Sequence, residues 1–286
     1  PYRIYRLTGT MPPQETESAT GLIRFVRRNQ LAVFVGLAYA LSWWAWIWYR
    51  LDPGNVDAPI LPIGPLLAAL ITLAMVGGWP AIRDMLRKLV HWRVGWKWYA
   101  LVLLLPAALT LTAFAINLLL GAQRVAGIEV PDAGQMAVRF AFIFLWIGLG
   151  EEPGWRGFAL PRLLVGRSAL AAAVIIGLIH MVWHAPLYGV EYDSANVWPW
   201  GISVICYSIV VCWIYLHTGG SLLMPMLMHA SNNTIAFVWR MFEGGDQLRL
   251  WWIWCALWVI AAIAVVLAAG PNLARDRQET LEAGLG

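Results

Sequence analysis

Long apolar runs constrain this chain more than any other feature of its sequence. Of its 286 residues, 60% are hydrophobic and only 13% are charged, whereas a soluble domain is about half apolar and about a quarter charged. A helix that crosses a bilayer needs roughly 20 consecutive apolar residues. The runs lie at residues 31–49, 59–78, 98–120, 136–155, 169–189, 197–217, 221–241 and 250–270. The sequence therefore predicts an all-α fold, a polytopic membrane helix bundle of about eight transmembrane helices.

The positive charges are distributed unevenly among the predicted loops. Cytoplasmic loops of membrane proteins are enriched in Lys and Arg. A model with a cytoplasmic N-terminus places most of the 20 Lys and Arg residues on the inner side. We therefore expect an integral protein of the bacterial plasma membrane with both termini cytoplasmic. The formal net charge of +4 is explained by this distribution, so the expected partner is the lipid bilayer and not a nucleic acid.

Three of the predicted spans carry polar side chains that are costly inside a bilayer and usually functional. They are Glu151, Glu152 and Arg156 in the fourth span, His180 and His184 in the fifth, and His229, Asn232 and Asn233 in the seventh. Residues four apart share a helix face. Each of the three helices therefore directs one polar pair to one side, and convergence of those faces would produce a wet cavity within the bundle.

Each pair alone has a structural explanation, such as an ion pair or a hydrogen bond that joins two helices. The three pairs together favour a functional site, because helix packing does not need the second glutamate. A carboxylate beside a histidine can activate water. A second histidine and an asparagine can donate hydrogen bonds to an oxyanion. These residue types are therefore sufficient for peptide hydrolysis without a serine nucleophile.

The same residue types also match a catalytic zinc site, which uses two histidines, one carboxylate and an open position. The candidate ligands of such a metal are Glu151, His184 and His229. No H-E-x-x-H motif is present. The sequence consequently requires no cofactor and leaves a divalent metal such as zinc as the alternative.

The polar residues fall in motifs that resemble one known family. Glu151-Glu152-Pro-Gly-Trp-Arg156 looks like the E-E-x-x-x-R motif of the CPBP intramembrane proteases, the CAAX-protease and bacteriocin-processing family, also called Abi. Met-Val-Trp-His184 looks like the end of its F-x-x-x-H motif, with His180 in the Phe position. His229-Ala-Ser-Asn-Asn233 looks like its H-x-x-x-N motif. The order of the motifs on separate helices makes the combination specific.

The resemblance implies an intramembrane endopeptidase that acts on membrane-associated, prenylated or leader-peptide substrates. It implies that Glu151 and His184 activate water and that His229 and Asn233 hold the oxyanion. Glu152 and Arg156 would shape the site, and His180 would support it. The expected substrate is therefore a peptide or a lipidated protein, cleaved by a glutamate- or metal-dependent reaction.

The predicted domain organisation follows from the spans and the motifs. It comprises a flexible N-terminal tail (1–22), N-terminal transmembrane helices with a basic interfacial segment (23–135), a catalytic core (136–242), and the last transmembrane helix with a cytoplasmic tail (243–286). We also expect the site to open toward the cytoplasm or the inner leaflet, on the side of Arg156, Arg162 and Arg167. Two other functions stay open: a non-proteolytic membrane immunity protein and a proton-linked transporter, since buried Glu and His also form proton relays.

Overall fold

The structure is a computed structural model that describes residues 21–52, 61–190 and 193–273. In that part of the chain all regular structure is helical. The helices are α1 (Gly21–Arg28), α2 (Gln30–Leu51), α3 (Gly64–Leu89), α4 (Trp96–Leu119), α5 (Ala133–Leu163), α6 (Ala169–Trp183), α7 (Val197–His217), α8 (Leu223–Thr234) and α9 (Gly244–Ala269). Most of the predicted tails, 1–22 and the segment after 273, lies outside the described residues.

Seven helical segments of the described residues are long and apolar enough to cross a membrane. The predicted seventh span, 221–241, differs from the others. It consists of the 12-residue helix α8 followed by a 3₁₀ segment, Ile235–Met241. The 3₁₀ segment packs against α4 and α9, and non-helical backbone at membrane depth is tolerated where protein surrounds it. The polytopic helical bundle is confirmed, with one crossing made by this composite element.

Hydrogen bonds between helix ends define two ends of the bundle. At the first, which we call the basic end, Arg162 Nε donates to Gln30 Oε1 over 2.8 Å. At the same end the Leu222 amide donates to the Lys88 carbonyl over 2.9 Å. The chain therefore begins α2, ends α3 and α5, and begins α8 at this end.

The opposite end, which we call the mixed end, is held together by other contacts. The Arg50 guanidinium donates to the Tyr188 carbonyl, which joins the end of α2 to the segment after α6. The Gln123 amide donates to Asp246 Oδ2 over 2.9 Å, which joins the end of α4 to the start of α9. Within the described residues, successive long elements thus alternate in direction between the two ends.

Helix α5 is longer than the predicted span 136–155, because it continues through Pro153 and on to Leu163. Proline removes a backbone donor and normally kinks a helix. Here the backbone of Pro153 stays helical, with φ −61° and ψ −35°, and the following residues, Pro153–Ala159, form a π-helical stretch. A second π-helical stretch, Ile143–Gly148, precedes the two glutamates. The wider π-helical turns keep α5 continuous on both sides of Glu151 and Glu152. Such turns are frequently found at functional sites.

Glycines bring α5 unusually close to its neighbours. A Cβ atom at Gly150 would lie 2.7 Å from the Pro62 carbonyl oxygen, and one at Gly154 would lie 2.6 Å from the Pro65 carbonyl oxygen. Small residues permit such close approach between helices in membranes. The turn of α5 that carries Glu151 and Glu152 is therefore in close contact with the start of α3.

Candidate active site

A chain of charged contacts runs through the centre of the bundle from α5 to α8. Arg156 Nη1 lies 3.0 Å from Glu152 Oε2, and neither side chain is exposed. The other oxygen of the same carboxylate, Oε1, accepts a hydrogen bond from His229 Nδ1 over 2.9 Å. The ionised Glu152 therefore has both oxygens occupied, and it orients the His229 ring so that Nε2 is left for other contacts.

Glu151 makes a separate set of contacts with α6. Its Oε2 atom accepts a hydrogen bond from His180 Nε2 over 2.8 Å. One turn later, His184 Nδ1 donates to the His180 carbonyl over 2.9 Å. Because a carbonyl oxygen can only accept, the neutral His184 ring presents Nε2 as an acceptor. The two adjacent glutamates are thus engaged by different helices.

Two contacts hold Asn233 in place, one from Asn232 to its side chain and one from Arg139 of α5 to its backbone. Asn232 Nδ2 donates to Asn233 Oδ1 over 3.1 Å, so the Asn233 Nδ2 group keeps its two protons for other acceptors. Arg139 Nη2 donates to the Asn233 backbone carbonyl over 3.2 Å. The Asn233 Nδ2 group, the predicted oxyanion donor, can therefore donate hydrogen bonds to a bound molecule.

The predicted residues meet at a cavity of about 140 Å³. Five of them contribute to its wall, namely Glu151, His180, His184, His229 and Asn233. The other two predicted residues, Glu152 and Arg156, are buried behind that wall. A molecule bound in the cavity can therefore reach Glu151 directly, whereas Glu152 can affect that molecule only through His229.

The depth of His229 follows from the turn between α7 and α8. His229 lies only a few residues beyond Gly219 and Gly220, so the turn must enter the bundle for His229 to reach the glutamates. Ser221 and Leu222 are fully buried, and Ser221 Oγ donates to the His91 carbonyl over 2.7 Å. The buried turn lets the short helix α8 present His229 at the level of α5.

Sequence reasoning missed the aromatic part of the wall. The cavity is also lined by Trp46, Trp183, Trp200, Tyr207 and Trp254. The Tyr207 ring packs edge-on against His229, with centroids 6.4 Å apart, and its buried hydroxyl has no hydrogen-bond partner. Tryptophans in this chain suggest interfacial anchors, so only their proximity to the motif residues could have indicated a second role.

Part of the cavity wall lies far from Arg162 and Arg167, the side to which we expect the site to open. Arg162 lies in the last turn of α5 and Arg167 follows that helix, at the basic end. The wall residues His184 and Leu187 lie at the opposite end of the segment Ala169–Leu187. The side to which the cavity opens stays a prediction.

Comparison with known proteins agrees with the geometry. Residues 133–235 match the model of a family described as type II CAAX prenyl endopeptidase Rce1-like. A protein of Methanococcus maripaludis named CAAX prenyl protease 2 is 22% identical over 184 residues, which cover 60% of this chain and 68% of that relative. These comparisons confirm the resemblance to the CAAX-protease family. They indicate a protease, an intramembrane peptidase, and the matched residues include every motif that lines the cavity.

The metal ligands suggested by sequence differ from the group that the structure brings together. Potential ligand atoms of Glu151, His180 and His184 all lie within 4.8 Å of one another. His229 is engaged with Glu152 on the other side and is not part of this group. Two histidines and a carboxylate are ligand types that zinc commonly uses. The buried His180 Nδ1 atom has no hydrogen-bond partner, so His180 can make a further contact.

The unequal pairing of the two buried glutamates predicts unequal effects on stability, because only Glu152 pairs with Arg156. Glu152→Gln leaves Arg156 buried without its counter-charge, which costs about 3–5 kcal/mol, whereas Glu151→Gln keeps a group that can still bond to His180. We expect a clear loss of melting temperature in detergent for Glu152→Gln and little loss for Glu151→Gln. Replacing Arg156 by Met together with Glu152→Gln is the matched control and should recover part of the loss. Equal melting temperatures for the two single variants would contradict the division between the glutamates.

Proposed function

We propose that the chain is an intramembrane endopeptidase that hydrolyses peptide bonds of membrane-associated polypeptides with water activated by Glu151. The observation that carries this proposal is the contrast between two adjacent carboxylates: Glu151 lines the cavity, whereas Glu152 is sealed behind it with both oxygens bonded. Only one glutamate is therefore placed to exchange protons with a water molecule in the cavity. The family match supports the same reaction class.

In the proposed reaction, the Glu151 carboxylate takes a proton from water as the water oxygen bonds to the carbonyl carbon of the peptide. His184 Nε2, an acceptor nitrogen, holds the second proton of that water. Glu151 then passes its proton to the amide nitrogen as the carbon–nitrogen bond breaks. The immediate products are a carboxylic acid and an amine, the acid passes its remaining proton to the amine to give a carboxylate and an ammonium, and Glu151 returns to its ionised form.

The negative charge that develops on the carbonyl oxygen needs donors on the opposite wall. His229 and Asn233 supply them, from Nε2–H and from the amide Nδ2 group. His229 must be an imidazolium to donate from Nε2 while Nδ1–H bonds to Glu152. Because Glu152 is already paired with Arg156, the Glu151 carboxylate balances the imidazolium charge, and the oxyanion balances it after Glu151 has taken the proton. Each such donor contributes roughly 100- to 1,000-fold in rate.

A bound divalent metal is compatible with the same residues. Glu151, His180 and His184 would hold it, and it would supply a water of lowered pKa and a Lewis acid. His180 would then exchange its hydrogen bond to Glu151 for a bond to the ion. The roles of His229, Asn233 and Glu152 on the opposite wall are the same in either case.

The packing on the basic-end side of the cavity favours hydrolysis over a proton-linked transporter. Trp155, Phe158 and Leu160 are fully buried there, and they are apolar. A proton relay needs a continuous series of polar groups toward both membrane faces. Within the described residues the polar groups around Glu151 instead converge on one cavity.

Substitution at the cavity wall tests the proposal. Glu151→Gln keeps the shape and loses the base, so we expect a folded protein with no measurable cleavage. His184→Ala should behave in the same way. The matched control is His217→Ala, because His217 bonds to the Trp213 carbonyl away from the cavity and should retain most activity. Cleavage is measured with purified protein on membrane-anchored peptides, and normal turnover by Glu151→Gln would remove Glu151 from the reaction.

Tyr207 provides a test that separates catalysis from folding. Tyr207 lines the cavity and its buried hydroxyl has no hydrogen-bond partner. We propose that this hydroxyl donates to the bound substrate, and a hydrogen bond to a charged group contributes about 1.5–3 kcal/mol. Tyr207→Phe should therefore lower kcat roughly 10- to 100-fold while the melting temperature is unchanged or higher, since an unpaired buried hydroxyl is lost. Unchanged kcat would show that the hydroxyl contacts neither the substrate nor the transition state.

A further inference from the structure

A glycine divides helix α3 into two parts, and the second part packs on the basic end of the bundle. Gly78 has φ 60° and ψ −158°, a backbone conformation that is essentially restricted to glycine. Beyond it, residues 79–89 form the part that we call the basic segment. Its Met85 is buried and lies against Gly157 of α5. The basic segment is therefore held on the bundle by its apolar side.

The last turn of the basic segment fixes Lys88 beside α7. The Lys88 carbonyl accepts a hydrogen bond from the Leu222 amide over 2.9 Å. Its Nζ atom lies 3.2 Å from Tyr215 Oη and 6.0 Å from the centre of the same ring. Tyr215 is buried, whereas Lys88 is half-buried. An ammonium group has three N–H donors, so Lys88 keeps donors for a further acceptor.

Arg162 brings a second positive charge to the same place from the last turn of α5. Its Nε atom donates to Gln30 Oε1 over 2.8 Å, and its Nη1 atom donates to the Phe158 carbonyl over 2.9 Å. The guanidinium carbon lies 3.5 Å from the centre of the Phe158 ring. None of these contacts uses Nη2. The half-buried side chain is thus fixed close enough to Lys88 for the two charges to repel each other.

Neither cation forms an ion pair with an acidic residue in the part of the chain that the structure describes. Asp84 of the basic segment attracts Lys88 only from beyond ion-pair distance, and it lies 3.5 Å from Arg87 on the exposed side. The other described ion pairs lie in the candidate active site and at the mixed end. Two like charges that are held together in a partly buried place are stabilised by an added anion.

Exposed tryptophans beside the two cations indicate the level of the lipid headgroups. Trp79 begins the basic segment and Trp92 follows it, and both are exposed. Indole rings prefer the headgroup level of a membrane. Basic pockets between transmembrane helices bind lipid headgroups at that level, and phosphate oxygens accept strong hydrogen bonds from Lys and Arg.

We infer that Lys88 and Arg162 form a binding site for the phosphate group of an anionic phospholipid. A lipid fits the site better than a soluble phosphate, because the headgroup can contact both cations while its acyl chains stay in the bilayer beside the helices. The bound phosphate would join α3 to α5, and Lys88 already contacts α7. Occupancy should therefore stabilise the bundle. This inference does not depend on the proposed hydrolysis.

Native mass spectrometry of the purified protein in detergent tests the site. We expect the wild type to retain dioleoylphosphatidylglycerol under activation that removes dioleoylphosphatidylcholine, and its melting temperature to rise with the first lipid. Lys88→Met keeps the apolar stem and removes the charge. It should bind phosphatidylglycerol roughly 10- to 100-fold more weakly, which is the loss expected for one hydrogen bond to a charged group. Arg162→Met should lose a similar amount.

Arg83→Met and Arg167→Met are the matched controls. Both arginines are exposed at the same end, and each substitution changes the net charge by the same amount, so both variants should retain the lipid. Equal losses in Lys88→Met and Arg83→Met would show attraction to surface charge in general and overturn the inference. Equal retention of the two lipids by the wild type would also overturn it.

Two further measurements complete the test. The melting temperature of Lys88→Met without added lipid shows whether the variant is folded, and Lys88→Gln replaces it if it is not. Sodium phosphate is the probe for a soluble anion. If it displaces phosphatidylglycerol and raises the melting temperature of the wild type by as much, the choice of a lipid is wrong. We expect it to do neither.

Discussion

The buried ion pair between Arg156 and Glu152 is the constraint on which the site depends. Two charges with no exposed surface are stable only when each neutralises the other and the geometry is good, and the 3.0 Å contact meets this condition. The pair requires α5 to stay helical through Pro153, and it leaves one oxygen of Glu152 for His229. In this way one interaction on α5 sets the position and charge of a side chain on α8.

The different surroundings of Glu151 and Glu152 explain how adjacent identical residues can have different functions. Successive residues of a helix point about 100° apart, so the two carboxylates face different neighbours. Glu152 faces Arg156 and His229, whereas Glu151 faces His180 and the cavity. In the proposed reaction, the sealed Glu152 preserves the structure of the site, and Glu151, which lines the cavity, is the reactive carboxylate.

The sequence predicted the bundle and the motif residues because these depend on local patterns. Runs of apolar residues and pairs spaced four apart are readable without a structure, and the Glu152–Arg156 contact followed from that spacing. The aromatic wall of the cavity did not, since it depends on which side chains of several helices converge. The sequence also could not predict the position of Tyr207 or the pairing of Glu151 with His180. Each is a contact between helices, and packing at glycines such as Gly150 determines how those helices are rotated.

Chemical rescue by a small carboxylate tests the central claim most directly. In Glu151→Ala the missing side chain leaves space in a cavity that is open to water, so added formate can occupy the position of the base. The account predicts that formate restores part of the cleavage by Glu151→Ala and none of the cleavage by Glu152→Ala, whose site is sealed and whose loss disturbs Arg156 and His229. Rescue of Glu152→Ala alone would contradict it.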